Sequence, residues 1–333
     1  MIKKKIYRIG VVFLTIVSLS GLTSCNDWLD VKPKTEEEAA SLFATLDGFK
    51  SALAGCYIGL CQPELYGREL TYGMVGVLGQ EWGKGATLDN SYTAYSYLQN
   101  YNYEQSASKV LIDQAWNKMY ESVANVNTLI EYTELKKEVL GDYYAVVRGE
   151  ALAMRAYIHF DLLRLFASAV DLNKEAIPYV KTLQIEVPHV YTGKEVLALL
   201  NEDIKNALTC LEKDPIREGK LKDVSGDGFM NARQMRVNYF AVKAFQARVA
   251  MWGDDLETAK AAAGEILEIA DDIFPWVTTS SISATEDKDR DFTFSTEHIF
   301  ALNVKDLKDL ANTWFLTSGN GQQLYCQNYT MQQ

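Results

Sequence analysis

Residues 149–166 read GEALAMRAYIHFDLLRLF and lie in the clearest periodic segment of the chain. Apolar side chains recur there every three or four residues, which is the spacing of one face of an α-helix. These side chains are Val147, Ala151, Met154, Ile158, Leu162 and Leu165. The other face carries the charged side chains Arg148, Glu150, Arg155, Asp161 and Arg164. The pattern predicts an amphipathic helix over residues 142–167.

Helical periodicity extends outward from this segment in both directions. The other predicted helices cover residues 35–61, 107–132, 192–213, 231–252 and 256–272. Thr192 followed by Glu195 is a capping-box pattern, and Pro215 would stop the helix that begins there. We predict that the last two of these helices form a hairpin, with its turn near Gly253 and alanines where the two helices cross. This is typical of a tetratricopeptide unit, so we expect a mainly α fold of tetratricopeptide-like helical pairs.

Three stretches interrupt the helical pattern. Residues 292–302 carry the best strand signal in a chain where such signals are scarce. Residues 274–291 are irregular, and residues 62–106 are rich in Gly, Tyr and Asn. Long irregular segments in a compact domain are usually functional or disordered. We therefore expect long ligand-binding loops beside the helices.

The segment 62–106 has the side-chain chemistry that sugars require. Aromatic rings stack on the apolar face of a sugar, while amides and carboxylates bond its hydroxyl groups. The predicted ligand-binding residues are Trp82, Asp89, Asn90, Tyr92, Tyr95 and Asn100. The alternative is that the tyrosines pack the segment onto the helices.

Composition excludes several classes of protein. The chain has 333 residues, of which 48% are hydrophobic and 23% charged, and this is typical of a globular chain. Its net charge of −11 argues against nucleic acid as a partner, because nucleic-acid binders present a basic face.

The N-terminus has the pattern of a secretory signal. Four positive charges within residues 1–8 precede an apolar run from Val11 to Leu22 that is too short to span a membrane. Leu22-Thr23-Ser24-Cys25 resembles the bacterial lipobox, which predicts a signal peptide over residues 1–24 and a lipid on Cys25. The alternative is an ordinary cleaved signal. Cleavage leaves a net charge of about −15, so acyl chains rather than a basic patch would hold the protein at a membrane.

The sequence predicts no catalytic residue, no metal and no cofactor. The three histidines are far apart, and neither a Gly-x-Ser-x-Gly nor a phosphate-binding loop is present. Asp223 to Asp227 resembles the start of a calcium loop, but position twelve is Gln234 instead of Glu. A polar turn is the favoured interpretation. The cysteines that remain after Cys25 are expected to be small buried residues without bridges.

Short motifs spread along the chain resemble the SusD/RagB family. The mature start, Cys25-Asn26-Asp27-Trp28-Leu29-Asp30, is similar to the lipidated opening of that family. The segment 149–166 resembles its most recognisable block. Three further motifs follow in the family's order, at residues 115–127, 200–208 and 294–302, together with the Ala-rich hairpin near residues 241–263.

The resemblance implies a non-catalytic lipoprotein of the cell outer membrane, anchored by the lipid on Cys25 and facing the exterior. Family members bind an oligosaccharide or another nutrient and deliver it to a TonB-dependent SusC-like transporter. The alternative is a helical-repeat interaction scaffold without a ligand. The chain departs from the family at Phe166-Ala167-Ser168, where Phe-Gly-Asp is usual. It also ends early, which implies that residues 25–333 are either a fragment of the family domain or lack part of the ligand site.

Overall fold

The structure is a computed structural model that describes residues 34–82, 93–183, 187–221, 224, 226–315 and 324. The chain divides into two units, residues 1–44 and residues 45–333. The described part of the first unit contains helix α1, Lys34–Leu42. Cys25 and the predicted signal peptide lie outside the described residues.

The second unit is mainly helical. Its longer helices are α2 (Leu46–Leu60), α5 (Ser106–Leu135), α7 (Tyr144–Phe166), α8 (Gly193–Cys210), α9 (Tyr239–Trp252) and α10 (Leu256–Leu267). Its shorter helices are α3 (Met74–Leu78), α4 (Thr93–Gln99), α6 (Lys137–Leu140), α11 (Ala270–Ile273), α12 (Thr279–Ile282) and α13 (Leu307–Phe315). Strands β1 (Glu175–Pro178) and β2 (Val190–Thr192) pair antiparallel, with Pro178 opposite Val190.

Helix α7 lies at the centre of the second unit, where it packs against α5 and α8. Most of its side chains are buried, on the charged face as well as on the apolar one. Gly149 lets the end of α8 approach α7 closely, because a Cβ at residue 149 would lie 2.8 Å from Leu211 Cγ. The predicted helix 142–167 is therefore confirmed, and it is a core helix instead of a half-exposed one.

The predicted hairpin is formed by α9 and α10, which pack against each other. Asn238 caps α9 by accepting a hydrogen bond from Ala241 N at 3.0 Å, and Gly253 follows its last residue. The capping box of Thr192 and Glu195 at the start of α8 is also present. The signals at Thr192 and Gly253 therefore place those two helix ends correctly, whereas the Asn238 cap was not predicted.

Other predicted boundaries were wrong. The segment 35–61 contains two helices, because Thr45 caps a new helix by accepting from Gly48 N at 3.1 Å. The segment 231–252 becomes α-helical only at residue 239. No strand forms over the described residues 292–302, where Ser295–Glu297 form a 3₁₀ turn. Conversely, residues 62–106 contain the helices α3 and α4, which the sequence analysis did not predict.

Two buried ion-pair networks connect the helices. The Arg155 guanidinium of α7 donates two hydrogen bonds to Asp203 of α8, at 2.8 and 2.7 Å. The fully buried Arg233 contacts both Asp214 and Glu150 of α7. Buried charges are tolerated only when they are paired in this way. The networks therefore account for the charged side chains that α7 buries.

Among the residues that the structure describes, no helix is long and apolar enough to cross a membrane.

Candidate functional site

The described residues on either side of the segment 83–92 are joined by a pair of glutamine side chains. Gln80 Nε2 donates to the Gln99 carbonyl at 2.9 Å, and Gln99 Nε2 donates to the Trp82 carbonyl at 3.1 Å. Tyr101 OH adds a bond of 3.3 Å to the Leu78 carbonyl. Side chains predicted to bind ligand on either side of the segment are therefore brought to one place.

Backbone strain occurs on both sides of this junction. Gln80 and Tyr101 have φ angles of 59° and 54°, in the left-handed region that residues other than glycine seldom adopt. Such conformations cost on the order of 1 kcal/mol each and cluster at ligand-binding positions. Their hydrogen bonds across the junction hold both residues in this conformation. The strain, beside side chains that suit a sugar, makes this junction the candidate site.

Trp82 is half-buried at the edge of this junction. Its Nε1 donates to the Tyr72 carbonyl at 2.7 Å, and its ring lies 5.4 Å from that of Phe315. Gly76 makes room for the indole, because a Cβ there would lie 2.8 Å from Trp82 Nε1. These contacts fix the orientation of the indole while part of its surface stays exposed.

Tyr95 lies beneath the junction, with only 4% of its surface exposed. Its hydroxyl lies 2.9 Å from both carboxylate oxygens of the buried Glu69. Burial, and after it the charge of Glu69, raises the pKa of Tyr95 far above its ordinary value. Arg68 Nε and Met74 N also donate to Glu69, at 2.6 and 2.9 Å. Tyr95 thus has the contacts of a core residue, and its buried hydrogen bonds to Glu69 help to fix the position of α4.

Asn100 is exposed, and its amide donates to the Ser96 carbonyl at 2.8 Å. The neighbouring Tyr101 and Tyr103 are 54% and 45% exposed. The prediction omitted both tyrosines because spacing in an irregular stretch does not reveal exposure. We call Gln80, Trp82, Asn100, Tyr101 and Tyr103 the loop-base surface. The predicted residues Asp89, Asn90 and Tyr92 lie outside the described residues.

The loop-base surface offers aromatic rings next to amide groups. Rings of this kind can stack on the apolar face of a sugar, and amides can donate to or accept from its hydroxyl groups. Over the described ranges, no group of three or more His, Cys, Asp or Glu side chains is placed to hold a metal ion. The aromatic rings and amide groups at this surface are thus of the kinds that can contact a sugar.

The possible calcium loop is described only in part. Asp223 and Ser225 lie outside the described residues, whereas Asp227 lies within them. The Asp227 carboxylate forms an ion pair with Lys50 and accepts from Tyr143 OH at 3.1 Å and from Phe229 N at 3.0 Å. The hydrogen bond from Lys50 is the main cause that lowers the pKa of Asp227 to about 2. Its contacts are those of the polar turn that the sequence favoured.

The cysteines within the described part of the chain are free. Cys56 is buried, and burial raises the pKa of its thiol to about 12. Cys61 and Cys210 are half-buried. The prediction of a small buried side chain is therefore confirmed for Cys56, whereas Cys61 and Cys210 are buried only in part. Cys326 lies outside the described residues.

Comparison with known proteins gives one family. A family model described as starch-binding, associating with outer membrane matches residues 27–220, which is more than half of the chain. The SusD-like protein P38 of Formosa agariphila is 24% identical over 271 residues, which cover 79% of this chain and 46% of that relative.

Solved structures show the same fold. A SusD superfamily protein from Bacteroides thetaiotaomicron is 20% identical, with a TM-score of 0.52, covering 72% of this chain and 52% of that one. A SusD homolog from the same organism is 15% identical, with a TM-score of 0.56, covering 76% and 45%. A protein titled a putative sugar binding protein, from Bacteroides vulgatus, is 20% identical, with a TM-score of 0.53, covering 68% and 47%. The chain spans about half the length of these relatives.

Proposed function

The chain belongs to the SusD-like family, and on that premise we propose that it binds a glycan or similar nutrient without cleaving it and delivers it to a TonB-dependent SusC-like transporter. Association with the outer membrane is part of the family's description. Delivery to a transporter and the absence of catalysis are parts of the proposal that rest on the resemblance of the sequence motifs.

The observation that supports ligand binding is the loop-base surface. This surface contains the strained residues Gln80 and Tyr101, and it combines exposed aromatic rings with amide groups on either side of the segment 83–92. Exposed rings cost free energy in water, so a rigid group of them next to polar side chains is typical of a binding surface. The proposed ligand contacts are Trp82, Asp89, Asn90, Tyr92 and Asn100, with Tyr101 and Tyr103 added by their exposure. Tyr95, the remaining predicted residue, is buried and would support these contacts without touching the ligand.

Binding can be tested with the purified protein and a panel of oligosaccharides that includes maltoheptaose. We expect Tyr103→Ala and Trp82→Ala to weaken binding at least about fivefold, because stacking contributes roughly 1 kcal/mol or more. Trp276→Ala is the matched control, since Trp276 is 78% exposed and lies far along the chain from the loop-base surface. Equal affinity of all three variants and the wild type would place the ligand elsewhere.

We also propose that residues 1–24 are removed and that a lipid on Cys25 anchors residues 25–333 at the outer membrane, facing the exterior. The support is the lipobox-like sequence before Cys25 together with the family's outer-membrane association. Mass spectrometry of the mature N-terminal peptide should find diacylglyceryl and acyl groups on this residue. An unmodified cysteine in the membrane fraction of the native host would refute the anchor.

Two outcomes would favour other functions. No bound oligosaccharide, together with co-purification of a transporter, would favour the helical-repeat interaction scaffold. Turnover of any oligosaccharide in the panel would instead indicate a hydrolase and would contradict the non-catalytic assignment.

A further inference from the structure

A cavity of about 220 Å³ is lined by residues of helices α7 and α9 together with Ile299 and Phe300. Its aromatic walls are Tyr157, Phe245 and Phe300, and alanines of α9 form part of its floor. Arg248 and the hydroxyl of Tyr157 are its polar side-chain groups. The cavity is half-open, so a ligand can enter it from solvent.

The guanidinium group of Arg248 lies beside Tyr157 and acts on the hydroxyl of that residue: burial raises the pKa of Tyr157, and Arg248 acts in the opposite direction. It lies 5.8 Å from the ring centroids of both Tyr157 and Phe160, which it approaches as a cation over a ring face. Within the described ranges Arg248 has no ion-pair partner at 4.0 Å or less. Aromatic rings thus flank this cation at the cavity, and no carboxylate of the described residues forms a direct ion pair with it.

Asp161, an acid whose charge interacts with that of Arg248, already has other partners. Asp161 is buried and accepts hydrogen bonds from Tyr66 OH at 2.8 Å and from Arg164 at 2.9 Å. Burial is the main effect on the pKa of Asp161 and raises it, while the Tyr66 bond and the charges of Arg164 and Arg248 act in the opposite direction. One carboxylate thus faces two guanidinium groups. The cluster carries a surplus positive charge in a chain whose net charge is −11.

We propose that this cavity binds a small monocarboxylate with an apolar body. The body packs between Tyr157 and Phe245, and the carboxylate pairs with Arg248 at the open side. Burial of a ring between aromatic walls is favourable in proportion to the apolar area removed from water, and the guanidinium group is suited to a carboxylate. A hydroxyl-rich sugar ring is disfavoured, because the apolar walls would leave its hydroxyl groups without partners. This site is separate from the loop-base surface and does not depend on the function proposed for that surface.

The probe is 3-phenylpropionate, and its affinity for the full-length chain is measured by calorimetry or by ligand-observed NMR. Its neutral counterpart, 3-phenylpropan-1-ol, tests the charge, and glucuronate tests a sugar acid. We expect the carboxylate to bind at least about fivefold more tightly than the alcohol, and glucuronate to bind more weakly than either. Glucuronate binding most tightly would overturn the apolar class of ligand.

Arg248→Gln should reduce the affinity for 3-phenylpropionate to that for the alcohol. Arg217→Gln is the matched control, because the Arg217 guanidinium also stacks on a tyrosine, Tyr239 at 4.2 Å, but does not line the cavity. Ala244→Leu, which fills the cavity, should abolish binding of both probes while circular dichroism shows a retained fold. Equal effects of the two arginine variants, or undiminished binding by Ala244→Leu, would refute the site. Binding of maltoheptaose should be the same in Arg248→Gln as in the wild type, which separates this test from that of the proposed function.

Discussion

The stability of the protein should fall in a defined acidic range because of one buried histidine. His159 is fully buried in α7 and its ring stacks on Tyr179 at 4.0 Å. Val180 N donates to His159 Nε2 at 3.0 Å, so the ring proton lies on Nδ1, which is 2.8 Å from the Arg155 carbonyl. This arrangement requires a neutral imidazole. Burial is the main cause that lowers the pKa of His159 from 6.5 to about 4.

The sign and size of the effect follow from this pKa. Because the folded-state pKa lies below the unfolded one, the unfolded chain binds more protons between about pH 6.5 and pH 4. The contribution of His159 is therefore fully present above pH 6.5 and is lost as the pH falls toward 4. Between about pH 7.5 and about pH 4.5 the linkage relation gives a loss of about 2.5 kcal/mol in the free energy of unfolding.

Urea unfolding followed by circular dichroism at these two pH values measures the loss. Carboxylates also titrate in this range, so the comparison is with His159→Gln, whose amide can both accept and donate without titrating. The wild type should lose about 2.5 kcal/mol more than the variant between the two pH values. An equal loss in both proteins would refute the reasoning. If the variant does not fold, an imidazole NMR titration of the wild type decides, and a midpoint near the ordinary histidine value contradicts the prediction.

Two further substitutions test the packing around α7 by the same unfolding measurement. Arg233→Met leaves Glu150 and Asp214 buried without the cation that they share, so we expect the free energy of unfolding to fall by about 3–5 kcal/mol. A fall below about 1 kcal/mol would show that the ion-pair network contributes little to stability. Gly149→Ala should destabilise the protein by about 1–3 kcal/mol, because the Cβ of the new alanine would meet Leu211. This cost exceeds the gain from the higher helix propensity of alanine. Increased stability would instead show that α8 can move away from α7 at little cost.

The helical architecture could be predicted because its signals are local. Helix α7 follows from an apolar side chain at every third or fourth position, and the start of α8 follows from Thr192 and Glu195. The break after residue 42 was missed, because Thr45 is a capping residue only when the chain is extended there, as its φ of −132° and ψ of 155° show. Short helices such as α3 were missed because five residues hold too little periodicity.

The candidate site could be predicted only in part. Residue types alone pointed to Trp82 and Asn100, which belong to the candidate surface, since aromatic and amide side chains suit sugars wherever they occur. The type of a residue does not show how exposed its side chain is. The prediction therefore included Tyr95, which is 4% exposed, and omitted Tyr103, which is 45% exposed. The burial of Tyr95 arises from Glu69, which lies 26 residues earlier in the chain and accepts a hydrogen bond from the Tyr95 hydroxyl in the core.

The sequence by itself determined the helical class, the capped ends of the main helices and the family resemblance, since each depends on residues within a few turns of one another. Only the tertiary structure decided which charged side chains of α7 are buried, because their partners Asp203 and Arg233 lie 48 and 83 residues further along the chain. It also brought Arg248 to the aromatic cavity and joined Gln80 to Gln99. These contacts depend on distances between separate elements, which no local pattern specifies.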